Sequence, residues 1–339
     1  MPEFFTSHHE KIQIELQRII NRSPLALYSM LRYHMGWQDE HGRPQYDKLG
    51  KFARSTICLL SCEAVGGNAV QIVPAAAALE LVHNFSLLHD DIEDASGQRR
   101  KKPTVWKLWG QSQAINAGDA MFSLVYLALL GLRENGIADR QIIHSYQILS
   151  ETCIELCEGQ YLDLAYEDHF NITVEDYLGM IAKKTAALIA ASSSLGAYLG
   201  TEDEEIVNRF RQFGKELGLA YQIRDDILGI WGIEESTGKS VESDIAQRKK
   251  TLPVIYGLQN SKSADREMLE KLYSQESIKG DDLVKVLRIL NQSGARDYAQ
   301  RLAEQYHHRA LAQLEATGLA VSRQAPLRQI ARFLLEREY

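Results

Sequence analysis

The hydrophobic residues of this chain recur at helical spacing over long segments, and the alternating pattern of a strand is almost absent. Examples are Ser55–Val65, Val70–Leu88, Ala114–Leu132, Gln141–Tyr166, Lys183–Leu199 and Glu205–Leu228. Two stretches, Ala75–Val82 and Thr185–Leu199, are apolar nearly all round, which is typical of helices that other helices cover on every side. The pattern therefore predicts an all-α fold, a large helical bundle formed by one domain over residues 1–339. Polar stretches predict loops at Gln38–Asp47, Ala95–Pro103 and Gly232–Ser243.

Charge and composition exclude several classes of protein. The 339 residues carry a net charge of −7 without a long basic stripe, which argues against nucleic acid as a partner. We find no secretory signal and no run of about 18 uncharged apolar residues, so we expect no membrane span and a cytoplasmic location. The four cysteines form two pairs at helical spacing, Cys58/Cys62 and Cys153/Cys157. They allow a zinc site, but buried thiols in a reducing compartment are the favoured interpretation.

Two clusters of aspartates each end a strongly apolar helical segment. In the first, Asp90 and Asp94 lie one turn apart on one face, and His83 lies two turns before them. In the second, Asp225 and Asp226 are adjacent. Buried carboxylates need a cationic partner, and Mg²⁺ prefers oxygen ligands that it bridges to substrate phosphates. Basic residues follow each cluster: Arg99, Arg100, Lys239 and Lys249. This combination predicts a site where Mg²⁺ and cationic side chains bind a diphosphate.

The ordered motifs resemble those of the trans-prenyl diphosphate synthases, or polyprenyl synthetases, from Gly50 to about Leu258. The stretch His83–Arg100 resembles that family's first D-D-x-x-D motif followed by paired arginines. The remaining motifs follow in family order: PTVWKLWG and AINAGDA within Pro103–Ala120, Gly159-Gln160-x-x-Asp163, Lys184-Thr185, Tyr221-Gln222 and DIAQRKKTLP at Asp244–Pro253. The resemblance implies an isoprenoid-synthase bundle around a central cavity. It also implies condensation of isopentenyl diphosphate with an allylic diphosphate (dimethylallyl, geranyl or farnesyl) and a homodimer.

The resemblance also implies roles for single residues. Two Mg²⁺ ions are expected on Asp90 and Asp94, with Asp91 assisting, and a third on Asp225, with Asp226 and Asp244 close by; Mn²⁺ is an alternative ion. The allylic diphosphate is expected to bind Arg99, Lys184 and Lys239, and Lys249 is a further expected substrate-binding residue. The positions that match those binding isopentenyl diphosphate are Lys51, Arg54, His83 and Arg100. Thr185 and Gln222 resemble the polar groups near the developing carbocation.

Product length is expected to depend on the residues just before the first cluster. Phe85 precedes Asp90 by five residues and Ser86 by four, which resembles geranylgeranyl-type synthases. On a helix Phe85 lies roughly 7–8 Å below Asp90 along the axis, where a bulky ring would limit the growing chain. Ordinary core packing of Phe85 is an equal alternative. We expect a C20 product, with farnesyl diphosphate as the other candidate.

Other functions fit the motifs less well. A terpene cyclase needs polar groups in its second motif where this chain has Gly229 and Ile233. A phosphate-binding loop is excluded because Gly232 stands one residue too far from Gly238-Lys239-Ser240. A non-catalytic subunit of a heteromeric synthase would typically lose its aspartates, whereas this chain departs from the motifs mainly at Gly229, in place of a third aspartate. We expect the change Gly229→Asp to affect turnover modestly.

Overall fold

The computed structural model describes residues 8–45, 52–232 and 243–336. The chain divides into two compact units. The first comprises Met1–Cys153, Ala191–Arg211 and Leu319–Leu327, and the second comprises Ile154–Ala190, Gln212–Gly318 and Arg328–Tyr339. The single domain predicted from the sequence stays a prediction.

Helices account for most of the described residues, which confirms the predicted all-α class. In chain order they are α1 (His9–Ile20), α2 (Ala26–His34), α3 (Ala53–Ala64), α4 (Val73–Glu93), α5 (Val105–Trp109), α6 (Gln111–Glu134), α7 (Asp139–Tyr166), α8 (Val174–Ile181), α9 (Ala187–Gly200), α10 (Glu204–Trp231), α11 (Ser243–Ala246), α12 (Leu252–Asn260), α13 (Ser263–Tyr273), α14 (Asp281–Gln292), α15 (Ala295–Glu315) and α16 (Val321–Glu336). A π-helical turn, Ala182–Ala186, separates α8 from α9. Each of the six predicted helical segments overlaps one of these helices, although the segment from Val70 begins three residues before α4 and the segment from Lys183 begins on the π-helical turn.

The predicted loop at Ala95–Pro103 contains a short antiparallel hairpin. Strand β1 (Gln98–Arg99) pairs with β2 (Lys102–Pro103). The two residues between them, Arg100 and Lys101, both have left-handed φ values of 53° and 65°. That conformation matches the right-handed twist of a two-residue hairpin, although it costs energy for residues with a Cβ. The hairpin turns the chain back directly after the first acidic cluster.

In the first unit, α4 packs along α6. Most of α4 is buried, from Val73 to Leu88, as its apolar composition predicts. Gly118 of α6 faces His89 near the end of α4, and Gly131 faces Pro74 near its start. The two helices therefore run antiparallel, and the glycines let their backbones approach closely. This packing fixes the direction in which α4 presents its terminal aspartates.

In the second unit, α10 and α12 form the core around the second acidic cluster. Ile223 and Ile227 of α10 pack with Leu252 and Ile255 of α12 and with Tyr177 of α8. Helix α8 starts with a capping box in which the side chains of Thr173 and Asp176 bond to each other's backbone N–H groups.

The helix α6 is the described segment that most resembles a membrane span. It is long and apolar enough to cross a bilayer, but half of its most apolar 18-residue window is buried inside the structure. A core helix passes the same test, so this helix is weak evidence for a membrane span.

The close approach of the backbones of α3 and α9 can be tested by adding a side chain at their contact. A Cβ on Gly196 of α9 would overlap the carbonyl oxygen of Cys58 and lie 2.8 Å from its carbonyl carbon. We expect Gly196→Ala to lower the free energy of unfolding by about 1–3 kcal/mol, because backbone must move to admit the methyl group. Thermal unfolding measures the change. Gly179→Ala in α8 is the control, because a Cβ there has no neighbour within 4 Å and helix interiors favour alanine over glycine. An unchanged melting temperature for Gly196→Ala would contradict the packing described.

Candidate active site

The first acidic cluster (Asp90, Asp91 and Asp94) lies at the C-terminal end of α4. The guanidinium of Arg99 donates to both neighbouring aspartates, at 3.1 Å to Asp90 Oδ2 and 2.8 Å to Asp91 Oδ1. Asp94 caps the helix, where its N–H donates to the carbonyl of Asp90. Asp90, Asp91 and Arg99 therefore form one group, and Asp94 lies near enough for its charge to act on Asp91.

Asp91 is the most enclosed member of the first cluster, at 2% exposure. Burial raises the pKa of its carboxyl to about 6, the nearby Arg99 opposes that shift, and Asp90 and Asp94 add to it. Its Oδ2 atom is buried and has no hydrogen-bond partner among the described residues. A buried oxygen without a partner is costly, which indicates that a cation or a donor from a ligand belongs there.

The hairpin holds Arg99 in place through a set of local hydrogen bonds. The hydroxyl of Thr104 and the indole N–H of Trp106 both donate to the carbonyl of Ser96, each at 2.8 Å. The N–H of Ser96 in turn donates to the carbonyl of Asp91 at 2.9 Å. These bonds connect the loop directly to the end of α4, so the position of Arg99 follows from the backbone.

A basic cavity of about 360 Å³ lies beside the first cluster in the same unit. Its lining includes Tyr33, His34, Asp91, Arg99, Arg100 and Lys102. Burial, together with Arg100 and Arg99, lowers the pKa of His34 to about 3, so this imidazole is neutral at pH 7. Its Nε2 atom is buried and without a partner among the described residues. An anion in this cavity would therefore meet the positive side chains of Arg99, Arg100 and Lys102 and the Nε2 atom of His34.

Two further predicted diphosphate ligands lie close to this group. Burial lowers the pKa of His83 well below its usual range, and the nearby Arg54, Arg100 and Arg99 lower it further. The Nε atom of Arg54 is buried and lacks a partner among the residues that the structure describes. His83 is therefore a neutral hydrogen-bonding group among arginines. Lys51, predicted to bind the same diphosphate, lies outside the described residues.

Glu80 supports this basic group and was missed by the sequence analysis. Its side chain is 4% exposed and accepts hydrogen bonds from the N–H and the hydroxyl of Ser55, at 3.1 and 2.9 Å. It therefore caps the start of α3, the turn that carries Arg54. A single carboxylate inside the apolar segment of α4 was the available signal, because such a group needs a partner.

The second acidic cluster (Asp225 and Asp226) lies near the end of α10. Asp225 is half-buried, whereas Asp226 is 2% exposed. Asp226 accepts hydrogen bonds from the hydroxyl of Tyr177 at 2.6 Å, the amide of Gln222 at 2.9 Å and the N–H of Leu252 at 3.2 Å. Burial raises the pKa of Asp226 to about 7, although these three bonds oppose the shift.

The predicted pair Lys184 and Thr185 lies on the π-helical turn of the same unit. The ammonium of Lys184 pairs with Asp163, and the hydroxyl of Thr185 donates to Gln222 Oε1 at 2.8 Å. Gly159 and Gly218 approach this turn so closely that a Cβ would lie 2.7 Å from Lys184 Cα and 2.5 Å from Ala186 Cα, respectively. Such π turns are frequent at functional sites.

Asp244 approaches the second cluster from a separate segment. Its carboxylate lies against Gly229, where a Cβ would be 2.5 Å from Asp244 Cγ. Asp244 is 8% exposed, and its charge adds to the rise in the pKa of Asp226. Asp244 therefore occupies the space above Gly229, the position at which the family motif has its third aspartate.

The basic residues after the second cluster differ in their roles. The ammonium of Lys250 donates to the carbonyls of Glu167 and His169, at 2.6 and 2.7 Å, and so stabilises the end of α7. Lys249 is exposed, and its backbone N–H donates to the carbonyl of Asp244. Lys239, the predicted diphosphate ligand, lies outside the described residues.

The oxygen atoms of the predicted metal ligands suit Mg²⁺. All predicted ligands are carboxylates, and the unpartnered Asp91 Oδ2 shows that the first cluster is incomplete on its own. Among residues 8–45, 52–232 and 243–336, no three His, Cys, Asp or Glu side chains stand together as a ready-made metal site. Mg²⁺ usually takes only one or two carboxylates and fills its shell with water and substrate phosphates.

Comparison with known proteins decides the family. The family described as Polyprenyl synthetase matches residues 40–290. The chain belongs to the polyprenyl synthetase family. It is 35% identical over 333 residues to a (2E,6E)-farnesyl diphosphate synthase of Mycobacterium tuberculosis, covering 97% of this chain and 91% of that protein. It is 38% identical over 293 residues to a geranylgeranyl diphosphate synthase of the same organism, covering 86% of this chain and 82% of that protein.

Solved structures of this family share the fold. A geranylgeranyl pyrophosphate synthetase from Pyrococcus horikoshii superimposes with a TM-score of 0.88 and 34% identity, covering 99% of this chain and 98% of that one. A polyprenyl synthetase from Streptomyces coelicolor gives the same TM-score and identity, covering 96% and 98%. The isoprenoid-synthase bundle expected from the sequence is thereby confirmed.

The contact between Gly229 and Asp244 makes this polyprenyl synthetase sensitive to any side chain at position 229. We expect Gly229→Ala to displace the Asp244 carboxylate and to raise the Mg²⁺ concentration for half-maximal activity about tenfold, as loss of a supporting metal contact does. Steady-state assays over a range of Mg²⁺ concentrations measure the change. Gly229→Asp adds a second negative charge beside Asp244, so the geometry argues for a larger effect than the modest one expected from the sequence. An unchanged Mg²⁺ requirement in Gly229→Ala would show that Asp244 has no part in metal binding.

Proposed function

We propose that this chain extends an allylic diphosphate with isopentenyl diphosphate to a C20 product, geranylgeranyl diphosphate. Its family and its farnesyl and geranylgeranyl diphosphate synthase relatives make it a short-chain trans-prenyltransferase. The observation that carries the proposal is the first acidic cluster, in which two aspartates share Arg99 beside a basic cavity. Carboxylates for metal and cations for phosphate are the groups that ionisation of a diphosphate ester requires.

We propose that Asp90, Asp94 and Asp225 hold three Mg²⁺ ions, with Asp244 assisting the third; Mn²⁺ is the expected substitute. The bound ions neutralise the charge that develops on the leaving diphosphate. Arg99, Lys184 and Lys239 bind the same diphosphate directly. Lys184 is already paired with Asp163, so its ammonium is held in position before the substrate arrives.

Isopentenyl diphosphate is proposed to bind without metal at the basic group of the first unit. Arg54, Arg100 and Lys51 supply charge, and His83 supplies a neutral hydrogen bond. When the allylic carbon–oxygen bond breaks, the double bond of isopentenyl diphosphate attacks the allylic cation and forms the new carbon–carbon bond. A proton then leaves the adduct to the released diphosphate. The oxygens of Thr185 and Gln222 offer partial negative charge to the cation, and exclusion of water protects it.

The proposal of a C20 product rests on the aromatic residues next to Phe85. Phe85 is 8% exposed and packs edge-to-face against Phe122 of α6, with ring centroids 5.0 Å apart. Phe122 packs in turn against Tyr126 at 5.4 Å. Rings that hold one another in place form a firmer barrier than a single side chain would. The neighbouring Ser86 is small and its hydroxyl bonds to the carbonyl of His83, which leaves Phe85 to set the limit.

A homodimer and a cytoplasmic location are further proposals. Apolar side chains of the first unit are exposed on α6 and α7: Ile115, Leu127, Leu130 and Ile143, each at least 42%. Such a surface favours burial by a second copy of the chain. Cys58 and Cys62 are buried free thiols, which agrees with a reducing compartment.

Two rival functions have less support. A class I terpene cyclase or another specialised prenyltransferase would not need the cations proposed for a second diphosphate, and Gly229 lacks the polar group of a cyclase motif. A non-catalytic subunit of a heteromeric synthase would not need the preserved aspartates. Purified protein tests these proposals directly: with Mg²⁺, isopentenyl diphosphate and each allylic starter, we expect chain elongation, and no condensation with any starter would exclude a stand-alone synthase.

Removal of one metal ligand is expected to abolish turnover. Asp90→Ala and Asp225→Ala each delete a carboxylate that no described neighbour replaces, so we expect activity to fall by at least about 10²-fold. The release of product from labelled isopentenyl diphosphate measures the loss. Asp297→Ala on the exposed face of α15 is the control and should retain full activity. Activity above a tenth of the normal rate in either variant would contradict the assigned roles.

Product length tests the barrier at Phe85. We expect Phe85→Ser to give products longer than C20, because the chain then passes the position of the ring. Ser86→Phe should give the reverse, a shift towards C15, because a second ring narrows the space one residue nearer the aspartates. Chromatography of the dephosphorylated products measures both. An unchanged distribution in Phe85→Ser would mean that this ring only packs the core.

A further inference from the structure

The second unit contains a continuous chain of hydrogen bonds that ends at Thr185. The hydroxyl of Tyr177 donates to Asp226 Oδ2 at 2.6 Å, and Gln222 Nε2 donates to Asp226 Oδ1 at 2.9 Å. The hydroxyl of Thr185 donates to Gln222 Oε1 at 2.8 Å. The N–H of Leu252 also donates to Asp226 Oδ2, at 3.2 Å. Four side chains from α8, the π turn and α10 are thereby joined.

Asp226 determines which group donates and which accepts in this series of hydrogen bonds. Both oxygens of Asp226 accept hydrogen bonds, so the amide of Gln222 turns its NH₂ towards Asp226. The side-chain carbonyl of Gln222 then faces Thr185 and accepts a hydrogen bond from its hydroxyl. Thr185 has no other proton to donate, so the remaining lone pairs on its oxygen are what it offers to a neighbour. An electron-rich oxygen is the form that a carbocation requires.

We propose that Asp226 is a positioning residue, which orients Gln222 and through it the hydroxyl of Thr185, and that Tyr177 holds Asp226 in place. This role differs from the metal ligand expected from the sequence. It rests on the proposed function, in which Thr185 and Gln222 face the allylic cation.

The environment of Asp226 supports this role over metal binding. Both of its oxygens already accept hydrogen bonds, and the residue is 2% exposed. Mg²⁺ dehydrates reluctantly and keeps several waters, for which an enclosed carboxylate leaves no room. Asp225, the preceding residue, is half-buried and is the member of the pair suited to a metal.

Replacement of Asp226 by asparagine tests whether Asp226 orients the amide of Gln222 and, through it, the hydroxyl of Thr185. Asp226→Asn keeps the shape but presents an NH₂ group to Gln222, whose amide must then turn over and present NH₂ to Thr185. We expect kcat to fall about 10- to 100-fold, as when a supporting hydrogen bond is lost. The KM values for both diphosphates and the Mg²⁺ concentration for half-maximal rate should change less than about threefold. A tenfold or larger rise in that Mg²⁺ concentration would identify Asp226 as a ligand and overturn the proposal.

Tyr177→Phe provides an independent variant with no change of charge. It removes one donor to Asp226, and we expect a smaller fall in kcat with unchanged KM values. Tyr306→Phe, in the same core cluster, is the matched control and should behave as the unaltered enzyme. Equal kcat values for the unaltered enzyme, Asp226→Asn and Tyr177→Phe would exclude the positioning role.

A measurement without turnover separates this proposal from the proposed function. We expect Mg²⁺ with inorganic diphosphate to raise the melting temperature of Asp226→Asn as much as that of the unaltered protein, whereas Asp225→Asn, which lacks one of the three proposed metal ligands, should show a smaller rise. Loss of the rise in Asp226→Asn alone would overturn the positioning role. If the unaltered protein elongates no starter, the proposed function fails while this result still assigns Asp226.

A double-mutant cycle tests whether the groups act as one unit. Thr185→Val deletes the hydroxyl, and combining it with Asp226→Asn should lower kcat little beyond the larger single effect. Effects that multiply would show that Asp226 does not act through Thr185.

Discussion

Carboxylates at the ends of apolar helices lose their water, and the rest of the site depends on how that loss is compensated. A buried ion without partners costs several kcal/mol, so each one needs a cation or several donors. The two clusters use different partners. Arg99 serves Asp90 and Asp91, whereas the neutral donors Tyr177, Gln222 and Leu252 serve Asp226. The guanidinium of Arg99 adds a positive charge at the first cluster, where we propose that the diphosphate binds. The neutral donors at the second cluster fix hydrogen-bond directions without adding charge.

Glycines determine how near the backbones can come to these groups. Gly159 and Gly218 admit the π turn that carries Lys184 and Thr185, and Gly229 admits the carboxylate of Asp244. A methyl group at any of the three would overlap backbone or the carboxylate itself. The side chains proposed to act in catalysis are therefore positioned by helix packing, which is stiffer than a loop. The second motif has Gly229 where the family motif has its third aspartate. Because Gly229 has no side chain, the carboxylate of Asp244 fills the space there.

The parts predictable from the sequence were those that depend on local pattern. Long periodic segments such as Val70–Leu88 gave the helices, and ordered motifs identified the aspartates and Arg99. The hairpin after α4 was expected only as a loop, because Arg100 and Lys101 are not residues that favour left-handed φ. The contact of Glu80 with Ser55 and that of Asp244 with Gly229 join residues far apart in the chain, so no local signal specifies them. Lys51 and Lys239 remain predictions from the family pattern.

The same logic explains why each cluster contains two adjacent aspartates. Successive residues on a helix point about 100° apart, so adjacent aspartates can differ in their exposure. In both clusters the first aspartate is partly exposed and the second is 2% exposed, as Asp91 and Asp226 show. The partly exposed carboxylate is the one proposed to bind a metal, and the enclosed one accepts hydrogen bonds from the groups around it, Arg99 in one case and Gln222 in the other. In the proposed function, the pair on each helix combines a metal ligand with an enclosed carboxylate whose hydrogen bonds orient the neighbouring side chains.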